Sequence, residues 1–195
     1  TPILLSTHNQ DILYYGGNKL HRSLDKGNNW ETISPDLTNG GKKGNVPYGT
    51  LTRISESSLK FGLLYTGSDD GLIHYSSDGG VQWKNISNNL PKNLWVSRVV
   101  ASSYKKGRVY VTLNGYRWDD FSPYVYVSDD FGNSWESIKG NLPYSPLNVI
   151  IEDPIKENIL YVGNDNGVYV SFDMGKSWEP FSKGLTSAAV HDLVI

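Results

Sequence analysis

Two pairs of adjacent carboxylates are the residues best placed to do chemistry: Asp69 and Asp70 in the turn GSDDG, and Asp119 and Asp120 in the longer NGYRWDDFSP. An inverting glycosidase needs two carboxyl groups facing each other across a cleft, about 6.5–9.5 Å apart, one of them with a raised pKa. Each pair is a candidate for that work, although Asp-Asp-Gly is also a good tight-turn former with no chemistry at all. The second pair has company in Tyr116, Arg117, Trp118, Phe121 and Tyr124, a mixture of aromatic platforms and ionised groups of the kind that sugar and peptide sites use. The alternative for this stretch is a hairpin that packs its own aromatics over a neighbour, with Arg117 paired to Asp119 or Asp120.

Other chemistries find no support. His8, His21, His74 and His191 show no His-x-x-x-His or His-Glu spacing, and the chain has no Cys, so no metal site, no other cofactor and no thiolate nucleophile is expected. No Gly-x-Ser-x-Gly elbow presents a serine, and the glycines follow turn positions, not a phosphate loop. Eighteen Lys plus Arg against twenty Asp plus Glu leave a formal charge of -2, which provides no basic field for nucleic acid. No apolar run approaches the roughly 18 to 20 residues of a membrane span. Residues 1–20 lack a signal-peptide layout, and a leader could have been removed.

The elements that must position these side chains are legible from the six tryptophans. Four of them end one pattern, Ser-x-Asp-x-Gly-x-x-Trp: SLDKGNNW to Trp30, SSDGGVQW to Trp83, SDDFGNSW to Trp135 and SFDMGKSW to Trp178. Spacings of 53, 52 and 43 residues between these tryptophans mark an internal repeat near the period of a propeller blade. Each unit reads as a short β-type segment, an apolar-Tyr run (Tyr14, Tyr65, Tyr110, Tyr161), a third run ending at the octapeptide Ser, and a fourth strand after the Trp. Helical periodicity is absent throughout. The reading is an all-β chain, a β-propeller of four-stranded antiparallel blades at about 1–36, 48–90, 95–142 and 146–184. Residues 188–195 read as the first strand of a fifth blade.

Within this frame the octapeptide is the hairpin between the third and fourth strands. Its Asp (Asp25, Asp78, Asp130, Asp173) accepts bonds from turn amides, its Gly takes positive φ, and its Trp packs back over the turn. One Asp per blade at the same turn places these carboxylates far apart around a rim, so their role is structural. Four blades plus a strand favour a segment of a larger propeller over a closed four-bladed ring. Uncovered blade faces would then meet the remaining blades or a second copy of the chain.

The octapeptide is identified as the Asp-box or BNR repeat, and its setting resembles sialidases, xyloglucan-cleaving propellers, photosystem II assembly factors and the sortilin or VPS10 propeller. The stretch GYRWDDFSPYVYVSDDFGNSW, with LPKNLWVSRV before it and VHDLVI after it, is similar to large secreted bacterial proteins of the BNR-repeat glycosyl hydrolase or sortilin N-terminal type. That resemblance implies a secreted or cell-surface bacterial protein. It does not carry over a sialidase site, because only five Arg are present and two of them align in the channel.

In a propeller the octapeptide hairpins crowd one rim, and the loops joining strand two to strand three and blade to blade open on the opposite face. Trp95 and Trp118, the two tryptophans outside the repeat, fall on that second face. Aligned inner strands place Arg53, Arg98, Asn148 and His191 at successive blade starts, pointing into the channel, where Arg can grip a carboxylate in bidentate fashion. The expected function is binding of a peptide, protein or glycan on the channel face by these four residues with Trp95, Tyr116, Arg117 and Trp118. Glycoside hydrolysis by the paired Asp is the alternative.

Overall fold

The computed structural model describes residues 1–40, 48–181, 184 and 187–195. Sixteen strands form four antiparallel sheets of four, each a meander in chain order. The first blade is β1 (Ile3–Leu5), β2 (Leu13–Gly16), β3 (Leu20–Ser23) and β4 (Glu31–Thr32). The second is β5 (Leu51–Glu56), β6 (Leu64–Ser68), β7 (Ile73–Ser76) and β8 (Lys84–Asn85). The third is β9 (Trp95–Ala101), β10 (Val109–Gly115), β11 (Asp120–Ser128) and β12 (Glu136–Ser137), and the fourth is β13 (Leu147–Glu152), β14 (Leu160–Asn164), β15 (Gly167–Ser171) and β16 (Glu179–Pro180).

The core lies between blades. Leu64 and Tyr65 of β6 and Val109, Tyr110, Val111 and Leu113 of β10 bury apolar side chains on both faces because a blade packs on each side. Tyr14 and Leu20 meet Leu51 and Leu64 of the next blade; Tyr65 and Ile73 meet Val96 and Val111; Tyr110 and Val125 meet Leu147 and Val162. Inner strands are also tied to each other by polar bonds: Thr52 Oγ1 donates to Val96 O at 2.7 Å, and Ser97 Oγ to Leu147 O at 2.7 Å.

The octapeptide does more than close its own hairpin. In each repeat the Ser hydroxyl accepts the Gly amide four residues on, and the Asp accepts the Ser hydroxyl and an amide of the turn. The Trp then reaches the preceding blade: Trp83 Nε1 donates to Ile33 O, Trp135 to Ile86 O and Trp178 to Ile138 O, at 2.8, 2.8 and 2.9 Å. Trp83 also bonds back to Gly80 O of its own turn at 3.1 Å, while Trp30 bonds only to its own turn, at Gly27 O, and stays 46% exposed. The physical reason is that an indole N–H beside a neighbouring strand end finds a buried acceptor there, and Trp30 has no described blade before it.

Packing runs from blade one to two, two to three and three to four, so the blades form an arc of a propeller. Its ends are uncovered, with Ile3 and Leu5 exposed on the first blade and Phe181 on the last. Residues 188–195 carry no ladder. They still follow the course of an inner strand: Val190 N donates to Asn164 O as Leu51 N does to Gly17 O.

Candidate functional site

The face opposite the octapeptides gathers the start of every inner strand and every turn between second and third strands. Along the channel wall, the inner strands of blades two to four each skip one residue in their ladder: Leu51 pairs Ser68 and Arg53 pairs Gly67; Val96 pairs Leu113 and Arg98 pairs Thr112; Leu147 pairs Asn164 and Val149 pairs Gly163. The skipped residues are Thr52, Ser97 and Asn148. This bulge corrects the sequence alignment by one position. Arg53 and Arg98 are equivalent to Val149, and by the Val190 anchor to Asp192, whereas Asn148 and His191 match Thr52 and Ser97.

The corrected ladder brings charges together. Arg53 Nε donates to Ser97 O at 2.7 Å, and burial and then the neighbouring Arg98 charge push its pKa down. Arg98 Nη2 forms an ion pair with the Asp192 carboxylate, and its Nε is buried without a partner among the described residues. The apolar Val149 stands at the position between them. Asp192 was not among the sequence candidates, and its signal was one residue away, in His191-Asp192. His191 itself is exposed and lends Arg98 only its carbonyl, at 3.5 Å.

Asn148 is buried and works in an amide chain, not on the channel wall. Asn114 Nδ2 donates to Asn148 Oδ1, and Asn148 Nδ2 to Asp165 Oδ1, both at 2.9 Å. Asn114 Oδ1 in turn accepts the Tyr116 amide, so the chain supports the aromatic turn from beneath.

That turn is a 3-10 segment, Tyr116–Trp118, ended by Asp119 at φ 56°. Arg117 does not pair with Asp119 or Asp120. Its guanidinium lies 5.4 Å from the centroid of Trp95, a cation–π contact on an indole whose Nε1 is buried without an acceptor among the described residues. Trp118 is half exposed and held by Nε1 donating to Asn93 O at 3.0 Å. Tyr116 meets Phe121 edge-on, and Phe121 meets Tyr144, extending the patch to a tyrosine that sequence reading passed over in the linker GNLPYSP.

Three of the four paired carboxylates are already engaged. Asp69 accepts the amides of Tyr48 and Thr50 at 2.6 and 2.9 Å, and Asp70 accepts the Asn39 amide and the Ser68 hydroxyl. Both are buried, and they tie down the linker from blade one. Asp120 accepts Ser122 N and Tyr124 Oη, bonds that hold its carboxyl below the ordinary value. An acid catalyst needs the opposite shift. Among the described residues no group of three or more His, Asp or Glu is arranged to hold a metal ion.

Comparison with known proteins agrees with this architecture. Among curated proteins, none matches the chain. Solved structures do: an ancestral GH74 enzyme superposes with TM-score 0.73 at 15% identity, over 93% of this chain and 24% of that one. The GH74 enzyme of Niastella koreensis gives 0.68 at 21% identity, over 92% and 29%. The extracellular domain of a one-component system from B. thetaiotaomicron gives 0.60 at 16%, over 91% and 22%. At such identities the likeness is one of fold, and the chain spans about a quarter of the length of these structures. The profile of Sortilin-Vps10 (Sortilin, neurotensin receptor 3) matches residues 71–190, from the turn of blade two to the strand-like Val190. This is more than half of the sequence, and the chain belongs to the Sortilin-Vps10 family.

Proposed function

We propose that this chain is part of an extracellular bacterial propeller that binds a peptide, protein or glycan on its channel face, with Arg53 and Arg98 engaging a carboxylate of the ligand. The observation that carries the reading is the Arg98–Asp192 ion pair: a carboxylate of the chain itself already sits on one of two adjacent arginines. Arg53 keeps part of its guanidinium free, since only Nε and Nη1 donate among the described residues. Extracellular placement draws on family membership and on the extracellular neighbour. The uncovered faces of blades one and four would take the remaining blades of a larger ring.

Removing Asp192 frees Arg98, so Asp192→Asn should tighten binding of a tetraglutamate peptide or a trigalacturonate probe. Arg53→Ala with Arg98→Ala should weaken it by about tenfold or more, as loss of charge-assisted bonds implies. Calorimetric titration checks both, and unchanged affinity in the double variant removes the reading.

Glycoside hydrolysis remains the second reading because the fold is that of GH74 enzymes. It would have to use Asp69 or Asp70 against Asp119 or Asp120. Both members of the first pair are buried and already accept two donors each, which is why binding is preferred.

A further inference from the structure

A second concavity lies between the blade-two turn and the linker to blade three. Its volume is about 590 Å³, and five asparagines line it: Asn39, Asn85, Asn88, Asn89 and Asn93. Ligand pockets span roughly 300–1,000 Å³. The linker is rigidly seated, because Leu90 and Leu94 are buried in the core between blades two and three. Gly71 lies so close to the linker that a Cβ there would stand 3.0 Å from Asn93 N and Leu94 O. Trp118, half exposed, is anchored to the lining residue Asn93 by its bond to Asn93 O.

We infer that this cleft is a subsite for a neutral saccharide, with Trp118 as the stacking platform and the amides of Asn88, Asn89 and Asn93 as hydroxyl partners. A primary amide both donates and accepts, as a sugar hydroxyl does, so a cluster of amides suits a ligand that offers both roles at each ring position. Among the described residues of the lining Lys92 is the one cation, and both oxygens of Asp70 already accept protein donors. A seated linker adds preorganisation, which lowers the ordering cost of binding. This site is separate from the arginine channel, and the two proposals fail independently.

Asn89 and Asn93 both sit at positive φ, 65° and 62°. Glycine prefers that region, so Asn89→Gly deletes the amide without straining the fold. The test titrates the chain with cello-, xylo-, manno- and maltohexaose, following tryptophan fluorescence and heat. At least one probe should bind saturably below about 10 mM. Asn89→Gly should weaken that binding about fivefold, as loss of a hydrogen bond implies, and Trp118→Ala about tenfold or more. The Arg53→Ala/Arg98→Ala variant should bind within about twofold of the parent chain, since those residues lie outside the cleft. The inference is overturned if none of the four sugars binds, or if Asn89→Gly and Trp118→Ala bind as well as the parent. Loss confined to the arginine variant would also overturn it, moving the sugar to the channel and leaving the function proposed there standing.

Discussion

Glu56 is buried, and it accepts hydrogen bonds from Ser6 Oγ at 2.6 Å and Tyr14 Oη at 3.0 Å, both from the preceding blade. The ladders place Ala101 at the same position in the third blade, since Glu56 pairs Leu64 and Ala101 pairs Val109. Tyr65, the counterpart of Tyr14, therefore faces a methyl group, and its hydroxyl is buried without a partner among the described residues. The contrast makes a residue-scale prediction. Tyr14→Phe strips a donor from a buried carboxylate and should destabilise the fold by about 1–3 kcal/mol, whereas Tyr65→Phe removes an orphan group and should be neutral or stabilising. Urea unfolding of the two variants checks it; an equal loss in both would contradict the pairing. The equivalence of these tyrosines was legible in the sequence. Their partners were not, because Glu56 and Ala101 come from the neighbouring blade.

At the scale of the strand, β6 and β9 approach so closely that only glycine fits at position 67. A Cβ on Gly67 would stand 2.4 Å from Val96 Cγ1. Gly67→Ala should destabilise by about 1–3 kcal/mol through overpacking. Val96→Ala should relieve the clash, so that the double variant loses less than the sum of the singles. Additivity in thermal unfolding would show that the two strands are not packed as described. The same strands show why the channel residues were only partly readable. Arg53 and Arg98 share the motif apolar-x-Arg, but Asn148 and His191 were matched to them by polarity. The bulge at Thr52, Ser97 and Asn148 moves them one residue out of step, which in a strand changes the face a side chain takes.

For the whole molecule, acid should act in two stages. Burial pushes the His74 imidazole down from 6.5 to about 4, against a smaller opposing pull from Asp70, and its Nδ1 has no partner among the described residues. Between these values the unfolded chain binds a proton that the native chain does not, so stability is full above pH 6.5 and falls as pH drops toward 4. The loss for this one group is on the order of 3 kcal/mol. The octapeptide carboxylates follow at lower pH. Turn amides and hydroxyls hold Asp25, Asp78, Asp130 and Asp173 below 3.8, Asp173 at about 2, so their stabilisation disappears as pH falls from 3.8 through 2. His74→Phe should flatten the first stage and leave the second, as unfolding curves from pH 7 to 2 would show. A variant with an unchanged upper stage would remove His74 as its source.

The sequence by itself determined the repeat, the four-stranded blade, the octapeptide hairpin and the face on which Trp95 and Trp118 lie. All of these are local: they follow from turn chemistry, strand alternation and a period that repeats within one unit. Tertiary structure alone decided what crosses from blade to blade. The Trp83, Trp135 and Trp178 indoles bond to the preceding blade, Asp69 and Asp70 act as linker anchors, Arg117 lies on Trp95, and Asp192 pairs with Arg98. The reason is distance along the chain. These partners are 19 to 94 residues apart, and only the packing angle between blades and a one-residue bulge bring them within reach.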